Sequence, residues 1–173
     1  MKHLLTLIFI SSLISSTAQN SLSDRIFIGG GGGISASSSQ TNISVFPQIG
    51  YKVTNNYIAG VGITYQYVSI RQPIETSLNN YGWSIFNRYN VFQQFFAYGE
   101  FERLNYEFLF YPPEQKERFS FNSLLLGGGY SEGLGGRASF NFMVLYNLLY
   151  DPSDDVSPYN SPWVVRAGVG FGL

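Results

Sequence analysis

The sequence predicts an all-β protein that folds as a closed antiparallel eight-stranded up-and-down transmembrane β-barrel. Three observations support this prediction. Eight segments are predicted as strands, and most of them alternate apolar and polar side chains with a period of two, because successive side chains leave a pleated backbone on opposite sides. The connections between these segments alternate between long and short. The composition combines few charges with many aromatic residues, which suits a surface in contact with hydrocarbon.

The segment from Trp163 to Leu173 alternates between an apolar face and a face of small and charged residues. One face is apolar throughout and comprises Trp163, Val165, Ala167, Val169, Phe171 and Leu173. The opposite face carries Arg166 among small residues, apart from Val164. A charged residue among glycines opposite an apolar face is expected of a strand whose outside contacts lipid and whose inside faces a narrow polar lumen.

The other seven segments have similar lengths, close to the 9–11 residues or so that a tilted membrane strand needs. Pro47 lies inside one of them, and because proline cannot donate a ladder hydrogen bond, we expect a β-bulge there. The facing of the sixth segment cannot be assigned from its pattern. The seven segments are Arg25–Ser35, Asn42–Val53, Tyr57–Ser69, Tyr81–Val91, Phe95–Glu107, Phe119–Tyr130 and Arg137–Leu149.

The connections SASSSQTN, IRQPIETSLNN, YPPEQKER and DPSDDVSPYNSP are long and polar, whereas TNN, FQQ and SEGLG are short. Outer-membrane barrels have short periplasmic turns and longer external loops, so the long connections are expected outside. Aromatic residues gather near the segment ends, which predicts two bands at the membrane interfaces. The predicted interface aromatics are Tyr57, Tyr65, Tyr67, Trp83, Tyr89, Tyr146, Trp163 and Phe171.

The glycine run Gly29–Gly33 invites comparison with a phosphate-binding loop. Such a loop needs a helix after it, whereas SASSSQTN follows here, so the run does not indicate nucleotide binding. Glycine is expected instead to relieve crowding inside a tight barrel.

The N-terminus reads as a secretory signal peptide, with Lys2, an apolar stretch from Leu4 to Ile14 and a cleavage site after Ala18. The apolar stretch is shorter than the 20 residues or so that a spanning helix needs, and no other long apolar run follows. We therefore divide the chain into a signal peptide, 1–18, and a barrel domain, 19–173.

The composition excludes several function classes. Charged residues make up 12% of the chain, about half the usual share, and aromatic residues 17%. Cleavage would remove His3, the single histidine, and the chain has no cysteine, so no thiol chemistry and no disulfide is available. The mature chain would carry nine Lys and Arg against eleven Asp and Glu, without a basic cluster, which speaks against nucleic-acid binding.

Arg166, Gly168, Phe171 and Leu173 resemble the C-terminal signal by which bacterial outer-membrane barrels are recognised for assembly. Many such proteins end in Phe, whereas this chain ends in Leu. Together with the strand pattern, this makes the chain similar to the small eight-stranded outer-membrane barrels of the OmpA/OmpX type over its mature length. The resemblance implies an outer-membrane location, contact with lipid and lipopolysaccharide, and engagement of the barrel-assembly machinery.

The inward faces predict a luminal charge network. Eight strands enclose a space that side chains just fill, and charges there are costly unless they are paired. We expect Arg88, Arg137 and Arg166 around Glu100 and Glu102, forming a polar plug rather than an ion path. Lys52 is also assigned to the inward face, with Arg25.

No catalytic residue is predicted. The resemblance raises the lipid A palmitoyltransferase, also an eight-stranded barrel, but that family relies on a loop histidine that the mature chain lacks. Acid–base chemistry could otherwise fall to Asp151, Asp154 and Asp155 or to Glu114 and Glu117. The spacing in DPSDD matches no calcium loop, so these are interpreted as solvated external acids. No metal or cofactor is expected.

The leading hypothesis is a monomeric outer-membrane barrel with a structural or surface-interaction role through four external loops, in envelope integrity, adhesion or defence. An external ligand or host surface is the partner class that this role implies. Two alternatives remain open. One is a narrow pore or small-solute channel, and the other is a secreted lipocalin-like barrel that binds an apolar ligand inside. A soluble barrel would enclose its apolar face and turn the charged face to water.

Overall fold

The computed structural model describes residues 25–72, 75–110, 115–154 and 156–172. The predicted signal peptide, its cleavage site and Leu173 lie outside these residues. Within them, no helix is long and apolar enough to cross a membrane.

The described residues form a closed barrel of eight antiparallel strands in up-and-down order, which confirms the predicted fold. Each strand pairs with the next one along the chain. The barrel closes where the first strand pairs with the last, from Ile28 opposite Phe171 to Gly30 opposite Val169. The strands are β1 (Ile26–Ala36), β2 (Gln40–Lys52), β3 (Tyr57–Ile70), β4 (Thr76–Phe92), β5 (Phe95–Phe110), β6 (Gln115–Gly135), β7 (Ala138–Asn147) and β8 (Trp163–Phe171).

Three of the four connections expected to be long are shorter than the sequence predicted. β1 and β2 are joined by residues 37–39, and β4 begins at Thr76 rather than Tyr81. β5 runs on to Phe110 and β6 begins at Gln115, so YPPEQKER is partly strand. The prediction equated polarity with loop, whereas polar side chains also occupy strands whose backbone groups are paired and whose faces meet water. The connection 148–162 between β7 and β8 remains long.

The alternation in the sequence matches the burial of the side chains. Val165 is 62% exposed and Val169 is 46% exposed on the outside of β8, whereas Val164 is buried inside. In β6, whose facing the sequence left open, Ser123 and Leu125 point into the barrel and Leu126 points out. The outward set is therefore apolar over most of the barrel, as predicted.

The lumen is more apolar than the sequence analysis expected. Its lower part, towards the short turns, contains a hydrophobic cluster in which the rings of Phe86 and Tyr98 stack with centroids 5.8 Å apart. Glycine makes room for the Phe86 ring, because a Cβ on Gly60 would lie 2.5 Å from it. Gly31 does the same for the Phe46 ring, which is outside this cluster, at 2.5 Å. The buried members of the cluster are Phe27, Ile58, Phe86, Phe96, Tyr98, Leu125, Leu145 and Val164.

The prediction of a β-bulge at Pro47 is wrong. Pairing between β2 and β3 stops after Val45 opposite Tyr65 and resumes at Gln48 opposite Gly62 in the same register. The missing N–H of the proline thus leaves a gap in the ladder without displacing the strand. Register shifts occur instead near the short turns, between Asn90 and Phe92 and between Gly133 and Gly135.

Candidate functional site

A charge cluster bridges opposite sides of the lumen, between β5 and β8. Arg166 on β8 reaches Glu100 on β5, with Nη1 2.5 Å from a carboxylate oxygen, and Glu102, with Nη2 at 3.0 Å. Both glutamate side chains are 2% exposed. Alternation along β5 directs both carboxylates inward, and one arginine between them lowers the cost of burying two like charges.

Tyrosine hydroxyl groups complete the coordination of these carboxylates. Tyr98 donates a hydrogen bond to Glu100 at 3.3 Å and accepts one from Gln48 Nε2 at 2.9 Å. Tyr159 donates to the second oxygen of Glu102, and Arg166 Nη2 lies 3.3 Å from the Tyr159 hydroxyl. Each carboxylate therefore accepts from Arg166 and from a tyrosine, as buried charges require.

Tyr159 was not predicted from the sequence. It lies in the connection between β7 and β8 and inserts its ring into the mouth of the barrel, against the hydrophobic cluster. Burial raises the pKa of its phenol above the usual range; Arg166 opposes this shift, and Glu102 adds to it. The hydroxyl therefore stays protonated and donates to Glu102. The available signal was one aromatic residue within the polar, proline-containing segment DPSDDVSPYNSP, which does not indicate where the ring points.

Arg88 is buried, at 5% exposure, but lies apart from the cluster that it was predicted to join. Its Nε donates to Asn90 at 3.0 Å and its Nη1 to Asn141 at 2.9 Å, while its guanidinium carbon lies 3.8 Å from the centre of the Phe96 ring. The pairing of strands explains the separation, because Arg88 lies opposite Tyr98, one inward position further from the mouth than Glu100.

The remaining predicted cations do not join the cluster either. Arg137 is exposed in the connection between β6 and β7, so its assignment to the lumen is wrong. Gly135 and Gly136 before it have positive φ values of 100° and 60° and form the turn, so strand alternation starts again only at Ala138. Lys52 is half-buried at the end of β2, and Arg25 is exposed.

The lumen holds little free space next to Arg88. A cavity of about 20 Å³ is lined by Phe46, Gln48, Phe86, Arg88, Tyr98 and Asn141, among others. A cavity of this volume accommodates about one water molecule. Side chains thus fill the described lumen at this level, as expected for eight strands.

The paired ends of β5 and β6 extend beyond the mouth and reverse the facing of the barrel. Along β5, the inward series of Glu100 and Glu102 continues into Tyr106 and Phe108, which are half-buried. The outward series instead becomes polar, and Glu107 pairs there with Arg118 at 3.2 Å. We call this region the rim extension, defined as residues 105–110 and 115–121. Its inward face contains a contacting aromatic cluster of Tyr106, Phe108, Phe110, Phe119 and Phe121.

The rim extension leaves two strand edges without a described partner strand, and one of them is residues 106–110 of β5, because the pairing of β4 with β5 ends at Tyr81 opposite Asn105. β7 pairs with β6 no further than Leu125, and one more backbone hydrogen bond runs from Leu148 N to Leu124 O. Residues 115–123 of β6 therefore pair with β5 on one side and with no described strand on the other. A polar cavity of about 260 Å³ lies beside this edge, lined by Ser120, Asn122, Asp151, Asp154 and Tyr159, among others.

The predicted interface aromatics all lie on the outward face. Six are exposed, and Tyr57 and Tyr67 are half-exposed; the six are Tyr65, Trp83, Tyr89, Tyr146, Trp163 and Phe171. The rings of Tyr146 and Trp163 contact each other with centroids 5.0 Å apart. In the predicted assembly signal, Phe171 is outward and exposed, whereas Arg166 and Gly168 are on the inward face.

Of the acidic residues considered for acid–base chemistry, Asp151 and Asp154 line the polar cavity of about 260 Å³. Asp151 accepts hydrogen bonds from the Ser153 hydroxyl at 2.6 Å and backbone N–H at 2.8 Å, which lower the pKa of its carboxyl. Glu117 is exposed on the rim extension. Glu114 and Asp155 lie outside the described residues. Among the described residues, no group of three or more His, Cys, Asp or Glu side chains could hold a metal ion.

No protein-family model and no curated protein matches the sequence. Among solved structures, the chain is similar to the crystal structure of the N-terminal β-barrel domain of Pseudomonas aeruginosa OprF. The match has 12% sequence identity and a TM-score of 0.44, and covers 86% of this chain and 96% of that chain. Similarity at this level assigns no function and no residue role.

Proposed function

We propose that this chain is an exported outer-membrane β-barrel with a closed lumen and a non-enzymatic role in envelope structure or surface interaction. The observation that carries the proposal is the orientation of its side chains. Val61, Ile63 and Ile85 lie outward at 53%, 62% and 49% exposure, while Arg88 and Glu102 are buried inside.

This orientation favours a lipid environment for a physical reason. An apolar surface that encircles a protein is far larger than the patches of a few hundred Å² that soluble monomers expose. A closed barrel also satisfies its backbone hydrogen bonds internally, which is required in a bilayer. The lipocalin-like alternative calls for the reverse arrangement, with the apolar set inside and the charged set in water.

Fractionation of the producing cell tests the location. We expect the mature protein in the outer membrane, extracted only by detergent, with a gel migration that changes on heating as folded barrels show. Recovery in the soluble periplasmic or secreted fraction, without heat-modifiable migration, would contradict the proposal. Transfer of lipid acyl chains by the purified protein in outer-membrane-like vesicles would contradict the non-enzymatic part alone.

A sealed lumen is supported by the cluster of Arg166, Glu100 and Glu102, by Tyr159 in the mouth and by the small volume of the cavity near Arg88. Planar-bilayer recording distinguishes this plug from the alternative of a narrow pore. We expect no steady conductance above that of the lipid alone. Stable open-channel currents that persist in Tyr159→Phe and in the unaltered protein would favour the pore.

A role in surface interaction is supported by the unpaired edge of β6. Exposed edges can be extended by an added strand from a partner, with backbone hydrogen bonds supplying affinity. The test is amide hydrogen exchange at 115–123 of the micelle-embedded barrel, with and without a panel of extended synthetic heptapeptides. We expect slowed exchange at this edge with at least one peptide. Unchanged exchange with every peptide would contradict the surface-interaction role, and only the structural role would then be supported.

A further inference from the structure

The outward surface of β4, β5 and β6 changes its chemistry in three steps along the strands. Nearest the middle of the barrel it is apolar, with Ile85 and Phe101 opposite each other. Next come the aromatic rings of Trp83 and Tyr81. Three exposed cations follow: Arg103 at the level of Trp83, and Arg118 and Lys116 further out.

Two of the cations lie next to the aromatic residues. Arg103 lies directly opposite Trp83 in the pairing of β4 with β5. The guanidinium carbon of Arg118 lies 4.8 Å from the centre of the Tyr81 ring. The side chain of Arg118 therefore bends back towards the apolar surface, although its backbone lies further out, opposite Glu107.

Arg103 and Lys116 each use one hydrogen-bond donor within the protein, whereas Arg118, besides its ion pair, donates through Nη1 to the Asn79 carbonyl at 2.9 Å. Arg103 donates to Asn122 at 3.3 Å, and Lys116 donates to the Ser77 carbonyl at 2.9 Å. A guanidinium has five N–H donors and an ammonium three, so several remain available on each. Near these cations, the described outward carboxylate is Glu107, which pairs with Arg118. Glu132 is also outward on β6, but it lies at the opposite end of that strand, opposite Phe140. The face thus keeps a net positive charge.

We propose that this face binds a membrane lipid whose phosphate headgroup carries a net negative charge, with Arg103 and Arg118 contacting the phosphate and Lys116 lying further out along the strand. The proposal rests on the proposed membrane function. Guanidinium groups bind phosphate in a bidentate manner, and the apolar and aromatic surface directly below accommodates the acyl chains of the same molecule. Both parts of an amphiphile therefore match adjacent parts of one surface.

The two tryptophans of the chain provide a local and a remote reporter. Trp83 is next to Arg103, whereas Trp163 lies on β8, four strands away around the closed barrel. Trp163→Phe therefore leaves a chain whose fluorescence reports lipid at the proposed site. Trp83→Phe leaves one that reports lipid away from it. The probes are phosphatidic acid and phosphatidylcholine with brominated acyl chains, each at the same mole fraction in phosphatidylcholine vesicles.

We expect brominated phosphatidic acid to quench Trp83 more strongly than brominated phosphatidylcholine, and both lipids to quench Trp163 equally. In the Trp163→Phe background, the double substitution Arg103→Gln/Arg118→Gln should weaken the preference for phosphatidic acid roughly 30-fold, the loss expected for two cations near an anionic lipid. The control Arg25→Gln/Arg71→Gln removes the same charge elsewhere and should keep the preference.

The outcomes separate this proposal from the one on which it rests. A chain that inserts, with heat-modifiable migration, but shows equal quenching of Trp83 by both lipids would overturn the lipid site alone. Equal loss of preference in the test and control variants would also overturn it, because the effect would then be one of net charge. Failure of the unaltered chain to insert into vesicles would overturn the membrane function, and with it this site.

Discussion

The barrel body and the rim extension are built from the same strands, yet they face their surroundings in opposite ways. In the body, Phe101 on β5 is exposed outward while Glu102 beside it is buried. A few residues further along β5, Phe108 lies on the inward face, whereas Glu107 lies outward and pairs with Arg118. The strand pleat is unchanged between the two regions, so they differ in which kind of side chain occupies the outward face.

The comparison shows that hydrophobic alternation alone does not define inside and outside. Hydrocarbon around the body would favour apolar side chains outward, and water around the rim extension favours charged ones. The reversal falls next to Trp83 and Tyr81, where an interface is expected. If the two regions do contact different media, equivalent substitutions should have unequal effects in them.

The largest difference in stability loss is expected between the buried cluster of Arg166, Glu100 and Glu102 and the exposed pair of Arg118 and Glu107. Arg166→Met would leave Glu100 and Glu102 buried and unpaired, and should lower the free energy of unfolding by about 3–5 kcal/mol. Arg118→Met breaks an exposed pair and should lower it by about 1 kcal/mol or less. Denaturant titration of the barrel in detergent micelles measures both. Similar losses in the two variants would show that the lumen is as hydrated as the rim.

A cation placed on the outward face should be tolerated in the rim extension but not in the barrel body. Val61→Arg, between the two aromatic bands, should cost about 2–4 kcal/mol of membrane stability. Ser120→Arg, outward on the rim extension, should change it by less than about 0.5 kcal/mol. Reversible unfolding in phospholipid vesicles gives both values. Equal tolerance of arginine at the two positions would contradict a membrane around the body.

The link between the mouth and the body can be tested at Tyr159. Tyr159→Phe keeps the ring but removes the hydroxyl that donates to Glu102, and hydrogen bonds to charged groups contribute about 1.5–3 kcal/mol. We expect a loss in that range by denaturant titration, together with faster amide exchange in the 148–162 connection. Tyr150→Phe, in the same connection, is the control. Equal effects of the two substitutions would mean that the Glu102 contact does not hold the connection.

The smallest effect is expected in the rim extension itself. Phe108 is half-buried among other rings, so Phe108→Ala should cost about 1 kcal/mol, less than a fully buried aromatic residue. Amide exchange should speed up in residues 105–110 and 115–121 and stay unchanged in β7 and β8. Faster exchange throughout the barrel would show instead that the rim extension contributes to closure of the body.

The sequence predicted the parts of this structure that depend on local pattern. The eight strands, their outward side chains and the short turns follow from a period of two, which the pleat imposes on every strand. The prediction failed where polar segments were interpreted as loops, as at Thr76 and Gln115, because paired strands in water also have polar faces. It also failed at Arg137, where a glycine turn interrupts the alternation just before the arginine.

The candidate site was predicted less completely than the fold. The inward positions of Arg166, Glu100 and Glu102 follow from alternation, but their contact depends on how eight strands are staggered around the barrel. The same stagger separates Arg88 from these carboxylates and brings it to Asn90 and Asn141. Tyr159 enters the site from a loop, and no periodic pattern specifies where a loop side chain points.

By itself, the sequence determined which side chains share a face, because that depends on each residue's immediate neighbours in the strand. The tertiary structure decided which faces point into the lumen and which point outward. It also decided which charges meet across the barrel. These features depend on strand length, stagger and closure, and so on interactions between residues far apart in the chain.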